Sequence, residues 1–407
     1  MRRALILDGG SGPALSTTRS LGRAGWEIVA PADTRSAVSK YTTAAFPIPD
    51  AAVDPGGFVA AVEDLLLRVK VDVAVPCTDA SVALLRANER ILRGAKLLGG
   101  DKASTRLCLD KADALAAAER AGFPVPAWLV PTTLDEASEA LARLGLPAVV
   151  KPRRSYFAEG SALVHRRSRF IEDPEELADA LAASAEKDSL PVLQAFVPGR
   201  SLAVTAVLRE GRLLGYAARE TFSFIPIGGG TSVWKRTIPP DDVGVQDALE
   251  LLRGIGYEGL AEVEYQVGAD GVPRLMEIGV RVHGWIGLAI SAGVNLPVIA
   301  AGALLGDRLP DAQPYRVGAE MRWPAGELRR IRMAFGPRTK LPPGVSRAGL
   351  LGKAWPPWRA GMRYDGIDFN DLVPWVPKLF RPRRRRSAHS IERLAPTHSP
   401  AAPSIRS

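Results

Sequence analysis

The sequence predicts an α/β protein with a parallel sheet near its N-terminus and antiparallel strands further along the chain. Over the first hundred or so residues, short apolar runs typical of strands alternate with helical patterns, which indicates βαβ units. Residues 259–267 and 273–281 predict two antiparallel strands joined by the turn Gly268-Ala-Asp-Gly271. Because 46% of the residues are hydrophobic and only 24% are charged, the chain can bury a large core and is not a mostly disordered protein.

The composition excludes several other classes of protein. The chain has 407 residues, enough for two to three domains, but only Cys77 and Cys108 as cysteines, so it is neither a disulfide scaffold nor a thiolate metal protein. The four histidines are scattered, which disfavours a histidine zinc site. The longest apolar runs fall short of the ~18 residues of a membrane helix, and the N-terminus lacks a signal-peptide core. We therefore expect a cytoplasmic protein.

The predicted elements follow one another in a regular order. Strands are expected at 3–8, 27–30 and 71–76, with helices ending at Ala24 and covering 58–68 and 80–93. A long helix over 105–121 ends at Gly122 before the stiff connection Phe-Pro-Val-Pro126. The later helices are predicted at 134–144, 173–186, 241–255 and 296–305, and the later strands at 146–150, 191–196, 201–208 and 212–219.

The basic charge of the chain is concentrated at its end. Residues 378–407 contain eight Lys or Arg and one acid, so the remainder is only slightly basic, and we do not expect nucleic-acid binding. Residues 307–378 are predicted to form a C-terminal extension, and residues 379–407 a basic disordered tail. Membrane contact through this tail and Trp355, Trp358 and Trp375 is the less favoured alternative; packing of these Trp residues on the body is preferred.

The hairpin over 259–281 places acidic side chains on one face. Because strands alternate with period two, Glu262, Glu264 and Gln266 share one side of the first strand. Glu277, Gly279 and Arg281 share the corresponding side of the second, opposite the apolar Met276, Ile278 and Val280. Carboxylates beside an arginine suit a Mg²⁺–triphosphate site. For the hairpin taken alone, a solvent-facing sheet surface, where Glu and Arg are ordinary, is the favoured interpretation.

Further motifs precede the hairpin in a fixed order. These are Asp110-Lys111, Gly122-Phe-Pro-Val-Pro126, Val149-Val-Lys151-Pro152 and Gln194-Ala-Phe-Val-Pro-Gly199. Together with Glu262-Val-Glu264-Tyr265 and Met276-Glu277-Ile-Gly-Val-Arg281, the succession resembles the ATP-grasp superfamily, in particular carboxylate–amine ligases and the ATP-binding half of carbamoyl-phosphate-synthase-like proteins. The resemblance covers roughly residues 3–305 and includes Ser39-Lys40-Tyr41 and Val75-Pro-Cys-Thr-Asp79.

The resemblance implies a domain organisation and a nucleotide site. Residues 1–104 would form the α/β domain that precedes the grasp. Residues 105–306 would form the ATP-grasp fold, an α+β lid at about 123–195 plus an antiparallel-sheet core. ATP phosphates would contact Lys111 and Lys151 from the lid side. The adenine would be lined by Gln194, Ala195 and Val197.

The resemblance also implies a metal site and a reaction. Glu264 and Glu277 would bind Mg²⁺, Arg281 would lie against the transferred phosphate, with Lys151 as its catalytic partner, and residues 156–162 would form a flap over the phosphates. The chain would be an ATP- and Mg²⁺-dependent ligase that joins a small-molecule carboxylate to an amine. Neither substrate can be named from the sequence, and no oligomeric state is indicated.

Three departures from the family pattern leave a second hypothesis open. Gly279 stands where the family has a metal-binding Asn, Ser201 where an acidic residue commonly holds the ribose, and the flap has a single glycine. Glu262 could partly compensate for the missing Asn. The alternative is a degenerate protein that binds nucleotide without ligase turnover. A nicotinamide site at Gly10-Ser-Gly12 is a weaker alternative, because Leu15 replaces the third glycine of that fingerprint.

Overall fold

The computed structural model of the chain describes residues 1–159, 162–185, 190–227, 229–336, 341, 345–354 and 361–375. Several predicted features lie outside these residues: positions 160–161 of the flap, Gly228, Trp355, Trp358 and the basic tail over 379–407. No helix among the described residues has both the length and the apolar character needed to cross a bilayer.

A five-stranded parallel sheet forms the N-terminal part of the chain, as the alternating pattern predicts. Its strand order is β3-β2-β1-β4-β5, and every neighbouring pair is parallel. Leu5, Ile6, Ile28 and Val29 are fully buried between the flanking helices, which explains the short uninterrupted apolar runs. The strands are β1 (Arg3–Ile6), β2 (Glu27–Pro31), β3 (Thr42–Phe46), β4 (Val73–Val75) and β5 (Lys96–Leu97), and the helices are α1 (Gly12–Arg23), α2 (Pro55–Arg68) and α3 (Asp79–Ala87).

Two helices connect this sheet to the next layer, where the sequence predicts one. Helix α4 (Lys102–Leu109) ends and α5 (Lys111–Arg120) begins at Asp110, whose backbone is extended at φ −93° and ψ 116°. The Asp110 carboxylate accepts hydrogen bonds from the amides of Ala112 and Asp113, so it caps α5. The predicted single helix is therefore wrong, and α4 runs across the predicted domain boundary at residue 104.

The lid region is a small four-stranded antiparallel sheet with two helices and a hairpin. The sheet order is β10-β7-β11-β6, and its core contains Ala140, Val150, Ile171 and Leu193. The elements are β6 (Trp128–Leu129), α6 (Leu134–Leu144), β7 (Ala148–Lys151), β8 (Tyr156–Glu159), β9 (Ala162–His165), β10 (Arg169–Ile171), α7 (Leu177–Ser184) and β11 (Val192–Ala195). The β8–β9 hairpin occupies the predicted flap, and its Tyr156 and Leu163 pack against the core of the N-terminal sheet.

A seven-stranded sheet of order β16-β15-β12-β13-β14-β17-β18 forms the centre of the molecule. Its pairs are antiparallel except for β17 with β18. The strands are β12 (Arg200–Arg209), β13 (Arg212–Ile225), β14 (Thr231–Thr237), β15 (Gly259–Val267), β16 (Pro273–Gly279), β17 (Glu320–Arg322) and β18 (Arg363–Tyr364). The helices around it are α8 (Val245–Gly254), α9 (Ile286–Ser291), α10 (Leu296–Leu304), α11 (Pro324–Ala334) and α12 (Arg347–Ala354). The α/β fold class, with a parallel N-terminal sheet and antiparallel sheets after it, is confirmed.

Close backbone contacts join the N-terminal sheet to the central sheet. The Leu260 amide donates to Gly99 O, and the Gly100 amide donates to Val280 O. A Cβ on Gly259 would lie 1.9 Å from Gly99 O, and Gly259 has φ +106°, so only glycine fits there. These bonds hold the end of β16 against the N-terminal part of the chain.

The C-terminal extension belongs to the central sheet rather than to a separate body. β17 and β18 form its outer edge, and the chain then returns to the N-terminal helix α1. We call residues 361–375 the C-terminal strap. Its Asp371 accepts from Arg19 and Ser39, and its Asp368 pairs with Arg23.

Candidate active site

Two carboxylates face each other across the edge pair of the central sheet. Glu264 of β15 and Glu277 of β16 are direct cross-strand partners, and Glu262 lies opposite Gly279 on the same face. No hydrogen bond or ion pair among the described residues engages the Glu277 carboxylate. The Glu264 side chain keeps 44% of its surface exposed, so it is also accessible to a ligand. The predicted hairpin therefore presents carboxylate oxygens to the space beside the sheet.

The charges around Glu264 are unusually crowded. Its recessed position, and next the neighbouring Glu262, raise the pKa of Glu264 to about 7. Arg219 of β13 donates to Glu264 at 3.0 Å and to Glu262 at 3.4 Å, and the Trp285 indole N–H also donates to Glu262. One arginine thus pairs with two carboxylates. A further cation beside Glu264 and Glu277 would reduce the remaining electrostatic repulsion among these carboxylates.

Met276 lies on the side of the carboxylates, which corrects the predicted apolar face. The register shifts between Glu264 and Tyr265, so that Tyr265 pairs with Leu275 and Met276 has no partner of its own. This β-bulge turns Met276 out of the core and gives its place to the fully buried Leu275. Ile278 and Val280 remain buried, as predicted.

Two lysines approach the same space from the lid side. Lys151, at the end of β7, donates to Met276 O at 3.5 Å, and burial lowers its pKa to about 8 although Glu277 favours the charged form. Lys111, the first residue of α5, is buried and donates to Ser155 Oγ at 3.1 Å, at the base of the flap. The Asp110 carboxylate also accepts from Arg153 at 2.6 Å, and this bond holds the start of α5 next to the segment that leads into the flap.

Arg281 lies beyond the strand in which it was predicted. β16 ends at Gly279, because the Val280 carbonyl accepts from Gly100 instead of continuing the ladder with β15. The Arg281 Nε donates at 2.8 Å to Asp79, the first residue of α3, so this guanidinium links the N-terminal sheet to the cleft. The phosphate-binding role of Arg281 stays a prediction, and Asp79 is the partner that the sequence analysis missed.

The residues predicted to hold adenine and ribose lie along one border of the cleft. Gln194 of β11 is buried, and its Nε2 donates to Met276 Sδ at 3.8 Å, while its Oε1 has no hydrogen-bond partner among the described residues. The Ala195 amide already donates to Ala127 O, so only the remaining groups of this residue are open to a ligand. Val197 follows β11 and is half-buried; Ser201 of β12 lies between Gln266 and Thr221 on the carboxylate face.

The sheet brings two further cations to this face that the sequence analysis did not select. Arg219 is in register with Ala203, which pairs in turn with Glu264, and Lys235 of β14 pairs with Thr221. Both side chains are almost fully buried, and burial lowers the pKa of Lys235, whose one hydrogen bond within the described part of the chain is to Gly284 O at 3.4 Å. Period-two counting on β13 and β14 would have found them if the strand order had been known.

The carboxylate pair fits a magnesium ion whose remaining ligands are water and phosphate oxygens. Among the described residues, no group of three or more His, Cys, Asp or Glu side chains forms a ready-made metal cluster. Mg²⁺ usually takes one or two carboxylates and completes its shell with water and phosphate oxygens, so Glu264 and Glu277 suffice. A Cβ built on Gly279 lies 3.6 Å from Glu262 Cβ in ordinary contact, so Glu262 borders the place of the missing Asn.

Solved structures share this arrangement of sheets. The biotin carboxylase domain of Hydrogenobacter thermophilus 2-oxoglutarate carboxylase, in complex with MgADP, ADP and bicarbonate, superposes with a TM-score of 0.63 at 18% identity. That match covers 78% of this chain and 73% of the other. N5-carboxyaminoimidazole synthetase from Staphylococcus aureus gives a TM-score of 0.59 at 16% identity, over 77% of this chain and 80% of the other. At such identities, the likeness shows the fold alone.

Sequence comparisons agree with the fold, and together the sequence and structure comparisons indicate an ATP-grasp superfamily protein. The profile of a narrower family, described as ATP-grasp in the biosynthetic pathway with Ter operon, matches residues 191–326. A D-alanine–D-alanine ligase of Synechococcus sp. (strain JA-3-3Ab) is 28% identical over 203 residues. That alignment covers 46% of this chain and 58% of the ligase, so it spans little more than half of that protein's length.

Proposed function

We propose that the chain is an ATP- and Mg²⁺-dependent ligase that joins a small-molecule carboxylate to an amine. One observation carries this proposal: Glu264 and Glu277 on the central sheet lie near enough to Lys151 of the lid and to Arg281 to interact electrostatically with both. Carboxylates for a cation on one side and the lysines Lys111 and Lys151 on the other suit a polyphosphate lying between them. The related D-alanine–D-alanine ligase and the ATP-grasp fold support the same class of reaction.

The reaction needs positioning and charge neutralisation rather than a nucleophilic side chain. The γ-phosphoryl group would pass from ATP to a carboxylate oxygen of the acceptor, giving ADP and an acyl phosphate. The amine then attacks the acyl carbon, so that a C–N bond forms, the C–O bond to phosphate breaks, and phosphate and a proton leave.

Each residue of the cleft has a role in that scheme. Glu264 and Glu277 would hold Mg²⁺, which would supply positive charge to neutralise the phosphates. Lys151 and Lys111 would neutralise the phosphates from the lid. Arg281, held by Asp79, would lie against the transferred group, where one such charge contact is typically worth about 2.7–4 kcal/mol in the transition state.

The first test is the thermal stability of the full chain with ATP or ADP, with and without Mg²⁺. Ligand at ~100 times its Kd stabilises the fold by ~2.7 kcal/mol, and we expect a Mg²⁺-dependent shift of that size. Glu277→Gln should abolish the shift, whereas Glu139→Gln, an exposed glutamate of α6, should keep it. The absence of a shift with every nucleotide would refute the proposal. ADP release with pools of carboxylates and amines then identifies substrates.

Gly279 provides a test of turnover separate from binding. Gly279→Asn should fit without strain, because its Cβ meets only ordinary contacts, and its amide would add a metal ligand beside Glu262. We expect the Mg²⁺ concentration that gives half-maximal nucleotide stabilisation to fall several-fold, with Gly279→Ala as the control that adds only the Cβ. If carboxylate-driven ADP release occurs in Gly279→Asn but not in the natural chain, the natural chain binds nucleotide without turnover.

A further inference from the structure

Helix α11 buries a charged pair, while large apolar side chains on it and at its C-terminal end are exposed. Its inner face packs on β13 and β14, and there Arg330 donates to Glu327 with both side chains buried. Leu328 is 60% exposed, Met333 39% and Phe335 52%. Ordinary surface helices show the opposite arrangement, with apolar residues inward.

The exposed apolar residues of α11 alternate with arginines. Leu328, Arg332 and Phe335 follow one another at helical spacing, and Arg329 and Met333 flank them, so these five side chains share one surface, here called the α11 face. Arg329 lies 5.6 Å from the Trp323 ring, and neither arginine has an acidic partner among the described residues. Leu351 of the adjacent α12 adds a further exposed apolar side chain.

The charge of the chain is divided sharply around this face. Residues 324–360 contain eight Lys or Arg, and Glu327, which is buried, is their one acid. Residues 1–323 contain 36 basic and 39 acidic side chains and are therefore slightly acidic. The α11 face thus lies in the most basic stretch of the chain outside the tail.

This charge decides what covers the α11 face. The tail over 378–407 is basic and would be repelled, and a second copy would bring like charges together. The exterior of a nucleic-acid duplex is lined by phosphates and offers little apolar surface to Leu328, Met333 and Phe335. We propose that the α11 face binds the surface of an anionic lipid bilayer, with the apolar side chains in the headgroup boundary and Arg329 and Arg332 on lipid phosphates.

Vesicle co-sedimentation of the full chain tests the proposal. Binding is expected to phosphatidylcholine vesicles that contain phosphatidylglycerol, not to pure phosphatidylcholine, and it should weaken as salt is raised. Leu328→Ser/Met333→Ser/Phe335→Ser and Arg329→Gln/Arg332→Gln should each weaken binding about tenfold or more. The control is Leu67→Ser/Lys70→Gln, which changes an exposed apolar and a basic residue at the end of α2 and should bind normally.

Several outcomes would overturn the proposal. Absence of binding to the anionic vesicles is one. Equal binding by the α11 variants and the natural chain is another, because the tail alone would then hold the vesicle. Binding to polyglutamate but not to vesicles would assign the face to an acidic protein instead.

Site-specific fluorescence distinguishes contact of the face from general attraction. Cys77 and Cys108 are buried, so a thiol dye on Leu328→Cys reports the α11 face alone. A blue shift with anionic vesicles, lacking in the same dye on Leu67→Cys, is expected. Equal spectra at the two positions would contradict insertion of the α11 face.

Discussion

At the residue scale, Glu264 and Lys151 set opposite limits on the pH range of nucleotide binding. Glu264, with its pKa raised to about 7, is protonated below that pH and then cannot hold a cation. Lys151, with its pKa lowered to about 8, loses its charge above that pH and cannot pair with phosphate. The association constant of the free protein for Mg²⁺–ADP should therefore peak between about pH 7 and 8.

Titration calorimetry with Mg²⁺–ADP at a series of pH values measures this profile. Lys151→Arg should remove the alkaline limb and keep the acid limb, because a guanidinium stays charged. A profile that is flat across both pKa values would contradict the assignment. Glu264 affects stability in the opposite direction from binding. Since its folded pKa exceeds the ordinary 4.5, the protonated carboxyl stabilises the unliganded fold, and this contribution to the free energy of unfolding is lost as pH rises from about 4.5 to 7.

Individual residues also show how far the sequence predicts the site. Glu264 and Glu277 could be placed on one face because period two is a property of any strand. Met276 could not, because a bulge depends on how two strands align and leaves no mark in the sequence. Arg281 was predicted in a strand because the local sequence pattern contains no information about Gly100, which is distant in sequence. The Gly100 amide donates to the Val280 carbonyl and so ends the strand.

At the element scale, the junction of α4 and α5 positions Lys111. Asp110 caps α5 and accepts from Arg153, so Asp110→Ala removes two amide hydrogen bonds and a half-buried ion pair. We expect a loss of about 1–2 kcal/mol in the free energy of unfolding, together with weaker nucleotide binding. The control is Asp113→Ala, an exposed partner of the same arginine, with a loss within about 0.5 kcal/mol.

Urea unfolding of the two variants separates capping from surface charge. Equal losses would show that Asp110 contributes only through Arg153. The sequence predicts one helix over 105–121, whereas the structure has two. Both halves are rich in Ala and Leu, so composition favours continuity, and only the side-chain cap at Asp110 reveals the break.

At the scale of the whole molecule, the C-terminal strap packs against the N-terminal part of the chain. Arg19 of α1 and Asp371 are separated by 352 positions, yet Arg19 donates to the Asp371 side chain at 2.8 Å and to its carbonyl. The Lys40 amide donates to the same carboxylate. No local pattern predicts such a pairing, which is why residues 307–378 could be predicted only as an extension. Its strands β17 and β18 complete the central sheet, and the strap then returns to the N-terminal part.

The buried pair between Arg19 and Asp371 should hold the N-terminal part of the chain in place. Their side chains are only 7% and 1% exposed, so Asp371→Asn leaves a buried guanidinium with Asp368 at 3.9 Å as its remaining acidic partner. We expect a loss of about 3 kcal/mol in the free energy of unfolding, because an uncompensated buried charge is costly. Asp368→Asn, at a more exposed pair with Arg23, should cost less than about 1 kcal/mol. Urea unfolding measures both, and limited proteolysis of Asp371→Asn should cut the N-terminal part first. If the two variants were equally stable, the strap would be held by β18 and the carbonyl of Asp371 rather than by its carboxylate.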